Sequence, residues 1–276
     1  MVDAPDTRQV WDANAPAWIE LSRAGFDAYR DSVNTPAFLE LLPAVDGFLG
    51  LDLGCGEGHN TRLLAARGAD VVALDVSEPF ASAAATQERS NPQGISYILG
   101  DAQQLPFPSE RFDFVTAFMS LMDVRAPEQA IAEVSRVLRP RGFLQFSIVH
   151  PFTNTPVRRW VESQTGQREA LAVGGYFYEG PLEETWTFSA APEAVRSQAR
   201  PFRVVYARRT LSSWLNAVIG AGLVIEAVAE PHPDEETVAK HPSVADSRIA
   251  PYFLVVRARQ SHREQESGSR GRAPAS

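Results

Sequence analysis

The middle of the chain predicts a doubly wound α/β sheet on three observations. Between residues 48 and 150, short apolar runs of β-forming residues alternate with stretches whose apolar residues recur at helical spacing. A glycine-rich turn follows the first run, and Pro and Gly punctuate the last helical stretch at Arg139-Pro140-Arg141-Gly142. The expected strands are Phe48 to Asp52, Asp70 to Asp75, Ile95 to Leu99, Phe112 to Phe118 and Gly142 to Val149. The helices expected between them are Asn60 to Arg67, Ser77 to Arg89 and Pro127 to Leu138.

The flanks read differently. Trp11 to Leu42 predicts two helices, the second starting at Asn34-Thr35-Pro36, because Thr caps and Pro suits a first helical turn. Residues 151 to 209 carry Pro, Gly and aromatics with weak helical period, which predicts an inserted cover of strands and loops. The α/β pattern then resumes with a helix over Leu211 to Ala221 and strands over Leu223 to Glu230 and Tyr252 to Arg259, joined by the Pro- and acid-rich stretch Pro231 to Ile249. Residues 261 to 276 are polar and poor in apolar residues, so a disordered tail is expected. The chain therefore divides into an N-terminal helical cap (1–45), a ligand-binding core (46–150), a cover (151–209), the completion of the sheet (210–260) and the tail (261–276).

Composition narrows the function. The chain has 276 residues, 44% hydrophobic and 22% charged, and a net charge of -8, which opposes a phosphate-neutralising surface and so a nucleic-acid partner. Its one cysteine, Cys55, excludes an internal disulfide and a multi-cysteine metal site, and no metal is expected. The N-terminus has acids where a signal peptide is basic, and no run approaches the roughly 18 apolar residues of a membrane span. A soluble, cytoplasmic protein that does not bind membranes is the expectation.

The stretch Leu51-Asp52-Leu53-Gly54-Cys55-Gly56-Glu57-Gly58-His59-Asn60 runs from a strand through a glycine turn into a helix. Glycines there let the backbone turn tightly and approach a ligand that a Cβ would exclude. Such a site lies at the carboxyl ends of the strands, where the strand order reverses. His59 stands where a dinucleotide fingerprint needs its third glycine, and the Gly-Lys-Ser/Thr of a phosphate-binding loop is absent. Asp75 ends the second strand about twenty residues on, the reach of a carboxylate that accepts from ribose hydroxyls. Asp101 ends the third strand on the same rim, within reach of an adenine amino group. Two acids and a glycine turn suit a cationic nucleoside without phosphates, and S-adenosylmethionine has that form.

The motifs LDLGCGEG, LDVS, GDAQQLPFPSERFDFV and VLRPRGFL, in that order over residues 48 to 150, resemble the class I S-adenosylmethionine-dependent methyltransferases of the quinone-biosynthesis-like branch (methyltransferase type 11). The resemblance extends to bacterial natural-product methyltransferases, among them indole-alkaloid C-methyltransferases of the teleocidin type. It implies a seven-stranded Rossmann-like sheet with its last strand antiparallel. It also implies that Asp52, Gly54, Cys55 and Gly56 face the methionine part of the cofactor, that Asp75 and Val76 hold the ribose, and that Asp101 and Ala102 meet the adenine. Phe118 and Met119 would close the site under the sulfonium, with Trp11 and Tyr29 covering it.

The acceptor side is read from residue chemistry. His150 ends the fifth strand and is the candidate base, with Tyr29 the second candidate catalytic residue. The aromatics Trp18, Phe26, Tyr29, Tyr176, Tyr178 and Trp186 are the candidate substrate residues, suiting an apolar or aromatic small molecule closed against water. In Tyr176-Phe177-Tyr178, strand alternation would put both tyrosines on one side. The acceptor atom stays open between carbon, oxygen and nitrogen, with C-methylation coupled to cyclisation among the options that an aromatic wall permits. An S-adenosylmethionine-binding protein that transfers no methyl group, and a nicotinamide enzyme, are the competing classes. A homo-oligomer is the expected assembly.

Overall fold

The computed structural model describes residues 6–261, so the expected tail lies, beyond Ser261, outside the described residues. Seven strands form one sheet in the order β10-β11-β5-β4-β1-β2-β3, with β1 Leu49–Leu53, β2 Asp70–Asp75, β3 Ser96–Leu99, β4 Phe112–Phe118, β5 Leu138–Val149, β10 Leu223–Ala229 and β11 Phe253–Gln260. Only β11 runs antiparallel to its neighbours, β5 and β10. The chain leaves β1 for β2 on one side and later returns through β4 on the other. That reversal opens a crevice at the carboxyl ends of β1 and β4.

Helices cover both faces because each central strand is apolar on both sides. Phe114, Phe143 and Val255 pack under α2 (Thr35–Leu41) and α3 (His59–Ala65), whose Phe38 and Leu64 are fully buried. Leu51, Leu144 and Val256 face the other way, onto α5 (Pro127–Val137) and α7 (Leu211–Gly220), which contribute Ile131, Val134 and Trp214. The helix α4 (Glu78–Ser90) packs on β2 and β3 and is crossed by α1 (Thr7–Arg23). α1 begins where the Asp6 carboxylate accepts from the Arg8 N–H. The sequence places the helix over Pro127 to within a residue, since a Pro at its first turn and an apolar stripe point the same way.

Two hairpins form the cover, β6 Val157–Glu162 with β7 Arg168–Gly174 and β8 Gly180–Trp186 with β9 Phe202–Arg208, the short helix α6 (Glu193–Arg196) lying between β8 and β9. Asn14 of α1 clasps the backbone of Arg203 on β9 through both its amide atoms, at 2.7 and 3.2 Å, which ties cover to cap. The connector to β11 holds α8 (Glu235–Lys240) and a 3-10 helix, Pro242–Arg248.

Three local expectations are corrected. The helix α2 does begin at Thr35 with Pro36 in its first turn, as expected, but no side chain caps it: Asn34 is helical, and the π-helical turn Arg30–Asn34 leads directly into α2. The side chains of Asn34 and Thr35 serve tertiary contacts instead, Asn34 donating to Ser147 Oγ and Thr35 to Asn60 Oδ1. The strand after α5 starts at Leu138 rather than Gly142, because Arg141 turns through a positive φ of 66° while the strand continues. Tyr176 and Phe177 form a turn, so strand alternation does not apply to them.

Candidate functional site

The glycine turn is fixed by what it touches. Gly54 and Cys55 donate to the carbonyl of Leu74 at 2.7 and 3.2 Å, which laces the end of β1 to the end of β2. Ser120, just past β4, donates to the Leu53 carbonyl at 2.6 Å. It sits so close that a Cβ on Gly54 would lie 2.3 Å from its own Cβ. With φ at +65°, position 54 requires glycine on both counts.

The acids on this rim do different work. Asp52 is buried inside the sheet, and its two carboxylate oxygens accept from Thr61 at 2.6 Å and Thr116 at 2.8 Å, clamping α3 and β4 to β1. Asp75 accepts from the Gly56 N–H through one oxygen and from the Ser77 N–H through the other, both at 2.8 Å. Burial raises each of these acids from 3.8 to about 6, against the opposing pull of those hydrogen bonds. Asp101 is exposed and accepts from its neighbour Gln103. Burial also pushes the Cys55 thiol well above its ordinary value, so it stays protonated and is a poor nucleophile. His59 opens α3, lines the cleft and lies 3.7 Å from Asp31.

A cleft of about 1240 Å³ opens above this turn. Its floor is Asp52 to Gly56, Asp75 with Val76, Asp101 with Ala102, and Phe118 with Met119. Trp11, Trp18, Phe26 and Tyr29 line it from the cap, and Trp186, Phe188 and Tyr206 from the cover. Trp18 is the hub of that wall, packing edge-on against Trp186 at 5.4 Å and Phe188 at 5.0 Å.

Some expected residues are elsewhere. His150 does not line the cleft. Its backbone N–H donates to the Tyr252 carbonyl, its Nδ1 accepts from the Phe152 N–H at 3.1 Å, and its Nε2 lies 2.9 Å from Glu230. One ring nitrogen shapes the loop after β5, the other is buried beside Glu230 with no hydrogen bond among the described residues, and burial lowers the ring's pKa from 6.5. Tyr176 and Tyr178 also lie outside the cleft: Tyr176 accepts from the Leu211 N–H with Arg208 over its ring, and Tyr178 is 43% exposed and donates to the Pro181 carbonyl. Neither is placed to touch an acceptor in the cleft.

Other residues enter the site that the sequence reading did not single out. Asp246 is buried in the cleft wall and accepts from Tyr29, from Tyr252 at 2.9 Å and from Arg168 at 2.7 Å. Tyr29 and Tyr252 stack at 5.1 Å, and Arg168 also covers Trp160 at 4.8 Å. The cluster joins the cap, the first cover hairpin and the connector. No sequence signal announces it, because Tyr29 and Asp246 are 217 residues apart. Asp123 did carry one, a lone acid in the apolar stretch Ala117-Phe118-Met119-Ser120-Leu121-Met122-Asp123-Val124 directly after a strand.

Comparison with known proteins decides the family. Residues 51–146 match the methyltransferase domain model. An S-adenosylmethionine-dependent methyltransferase of known structure from Mesorhizobium loti is 31% identical, covers 82% of this chain and 96% of its own, and superposes with a TM-score of 0.68. The chain belongs to the S-adenosylmethionine-dependent methyltransferases. Among curated relatives of this methyltransferase, a biotin biosynthesis bifunctional protein from Cellvibrio japonicus is 35% identical over 44% of the chain. A demethylmenaquinone methyltransferase from Thermobifida fusca is 30% identical over 56% of the chain. The chain spans 24% of the length of the first and 65% of the second.

The residues of the methyltransferase cleft fit S-adenosylmethionine. Asp75 spends one lone pair of each oxygen on the backbone, and a carboxylate offers about four in all, so it can still accept from a diol. Asp101 lies exposed on the same rim, and a Cβ on Gly56 would meet nothing nearer than 3.9 Å, so the turn presents bare backbone to the cleft. When bound, the cofactor supplies a methyl group on a sulfonium. Among the described residues no helix is long and apolar enough to cross a membrane.

Proposed function

We propose that this enzyme transfers the methyl group of S-adenosylmethionine to an apolar or aromatic small molecule of natural-product metabolism. The observation that carries this reading is the size and lining of the cleft. At about 1240 Å³ it exceeds the roughly 300–1,000 Å³ of a pocket for one drug-sized ligand, and the part beyond the glycine turn is walled by Trp18, Trp186, Phe188 and Tyr206. A second, apolar molecule therefore has room beside the cofactor. Relatives named for demethylmenaquinone and for fatty-acid O-methylation agree with an apolar acceptor.

In this reading Asp75, followed by Val76, accepts from the ribose hydroxyls, and Asp101 with Ala102 meets the adenine. Asp52 acts at one remove, holding the turn of Gly54, Cys55 and Gly56 against α3 and β4. Phe118, Met119 and Trp11 close the cofactor half, and Trp18, Phe26 and Trp186 line the acceptor half. Tyr29 is fixed by Asp246 and orients the acceptor. Methyl transfer is an in-line displacement, so alignment and exclusion of water supply most of the rate. Carbon, oxygen and nitrogen acceptors are all compatible with an aromatic wall.

The test is calorimetric titration with S-adenosylmethionine and S-adenosylhomocysteine, followed by mass spectrometry of aromatic and isoprenoid alcohols, amines and alkenes incubated with the cofactor. Binding of both compounds and a product heavier by one methylene unit is expected. Binding by neither compound, or by NAD in their place, would refute the reading.

A further inference from the structure

Among the described residues, the acids that line the cleft are partnered in the fold with one exception. Asp52 has its threonines, Asp75 its backbone N–H groups, Glu57 the guanidinium groups of Arg23 and Arg30, and Asp246 two tyrosines and Arg168. Asp123 is only 8% exposed, yet among the described residues its buried Oδ1 has no hydrogen-bond partner. An unmet acceptor of this kind is unfavourable, so a ligand that brings a donor to it is bound the more tightly for it.

Its position is set by the cofactor turn. Asp123 ends the 3-10 turn Leu121–Asp123, and its N–H donates to the carbonyl of Ser120, the residue seated against Gly54. On its other side β9 brings Tyr206 from the aromatic cover. Asp123 thus lines the cleft with the turn that abuts Gly54 on one side and β9 of the aromatic cover on the other.

We propose that Asp123 is the catalytic group that takes the acceptor's proton, so that the acceptor atom is an oxygen or nitrogen carrying hydrogen. This rests on the methyl-transfer reading above. The acceptor's lone pair forms the bond to the methyl carbon while the carbon–sulfur pair leaves onto sulfur, which discharges the sulfonium. The acceptor's own bonding pair to hydrogen stays with it, and the proton passes to an Asp123 oxygen and then to solvent. Electrons and charge balance with no further reagent.

Electrostatics gives the step an order. Burial, and secondarily the charge of Asp75 at the end of β2, raise Asp123 well above the usual carboxylate range. Tyr206 is the titratable neighbour on β9, and burial pushes it upward, so it stays neutral and brings no charge. α5 and β5 pack against the turn from the apolar core, Thr7 of α1 donates its hydroxyl to the Asp123 carbonyl, and Arg125, two residues on, is itself engaged. The sulfonium is then the cation that ionises Asp123, and the base is ready only when the donor is in place.

The experiment counts protons released on binding, by calorimetry in buffers of different ionisation enthalpy between about pH 6 and 8. S-adenosylmethionine carries the sulfonium and S-adenosylhomocysteine does not. The wild type is expected to release more protons with the first than with the second, and Asp123→Asn to lose that difference while binding S-adenosylhomocysteine within about threefold of wild type. Equal counts in the wild type, or a difference that survives in the variant, would overturn the assignment. Asp123→Ala, read the same way, guards against an amide that forms new hydrogen bonds or fails to fold. If neither compound binds the wild type, the methyl-transfer reading itself fails and takes the proposal with it. With any acceptor that gains a methyl, Asp123→Asn should turn over at least about 100-fold more slowly. An unchanged rate, or a methylated alkene carbon, would also overturn it.

Discussion

Replacing Asp75 by Asn should change stability with a sign that depends on pH. The wild-type carboxyl is 6% exposed and raised from 3.8 to about 6, so the folded chain holds this proton over a range where the unfolded chain has released it. Below about 3.8 both states are protonated and the cost of ionising a buried group is absent. Above 6 that cost is fully present, and at 1.36 kcal/mol per pH unit it amounts to about 3 kcal/mol. Asn removes it. Asn also has one acceptor oxygen where the wild type uses two, so either Gly56 or Ser77 loses its partner, at about 1–3 kcal/mol. Above pH 6 the variant should therefore be equal to or up to about 2 kcal/mol more stable than wild type, and in acid less stable by the lost bond. The assay is urea denaturation of both proteins, without cofactor, from about pH 4 to 8. A difference that does not move with pH would refute the burial argument. S-adenosylhomocysteine should bind the variant more than tenfold more weakly at every pH, about 1.4 kcal/mol or more, and unchanged affinity would refute the grip on the ribose.

Other substitutions separate the remaining roles. Gly54→Ala combines an unfavourable φ of +65° with a 2.3 Å clash on Ser120, and should cost roughly 2–5 kcal/mol by denaturation. Ser120→Gly in the same chain should recover the clash but not the backbone strain. His150→Ala should lose about 1–3 kcal/mol of stability by freeing the Phe152 N–H, with unchanged S-adenosylhomocysteine affinity by calorimetry. A turnover slowed by about 100-fold or more, with stability restored by ligand, would return His150 to the site as the base. Asp246→Asn should leave cofactor affinity unchanged and raise the KM for the acceptor severalfold, because Tyr29, Tyr252 and Arg168 lose their common anchor. Steady-state kinetics with the acceptor found by mass gain would check it.

What could be read from the residues was whatever is encoded within about thirty positions of itself. The strands of the core sheet alternate with helices whose stripes and Pro signals are local, and the glycine turn, Asp75 and Asp101 follow one another at fixed spacing along that alternation. Those parts of the fold, and the gathering of these residues along one cleft, were legible for that reason. The π-helical turn was not, because Asn34-Thr35-Pro36 looks like a capped helix start unless one knows that Ser147 and Asn60 occupy its polar groups. His150 was misplaced for a related reason. A strand end fixes where a backbone goes, but the ring follows whichever partners reach it, here the Phe152 N–H and Glu230.

The sequence by itself determined the doubly wound core and a site for a cationic nucleoside, since both rest on periodicity and on short motifs with one physical solution. Only the tertiary structure decided which aromatics face the cleft, that Tyr29, Asp246, Tyr252 and Arg168 form one cluster, and that the Asp123 carboxyl is left with an unmet oxygen. Burial and partnership depend on packing between segments up to 217 residues apart, and no spacing along the chain records that distance.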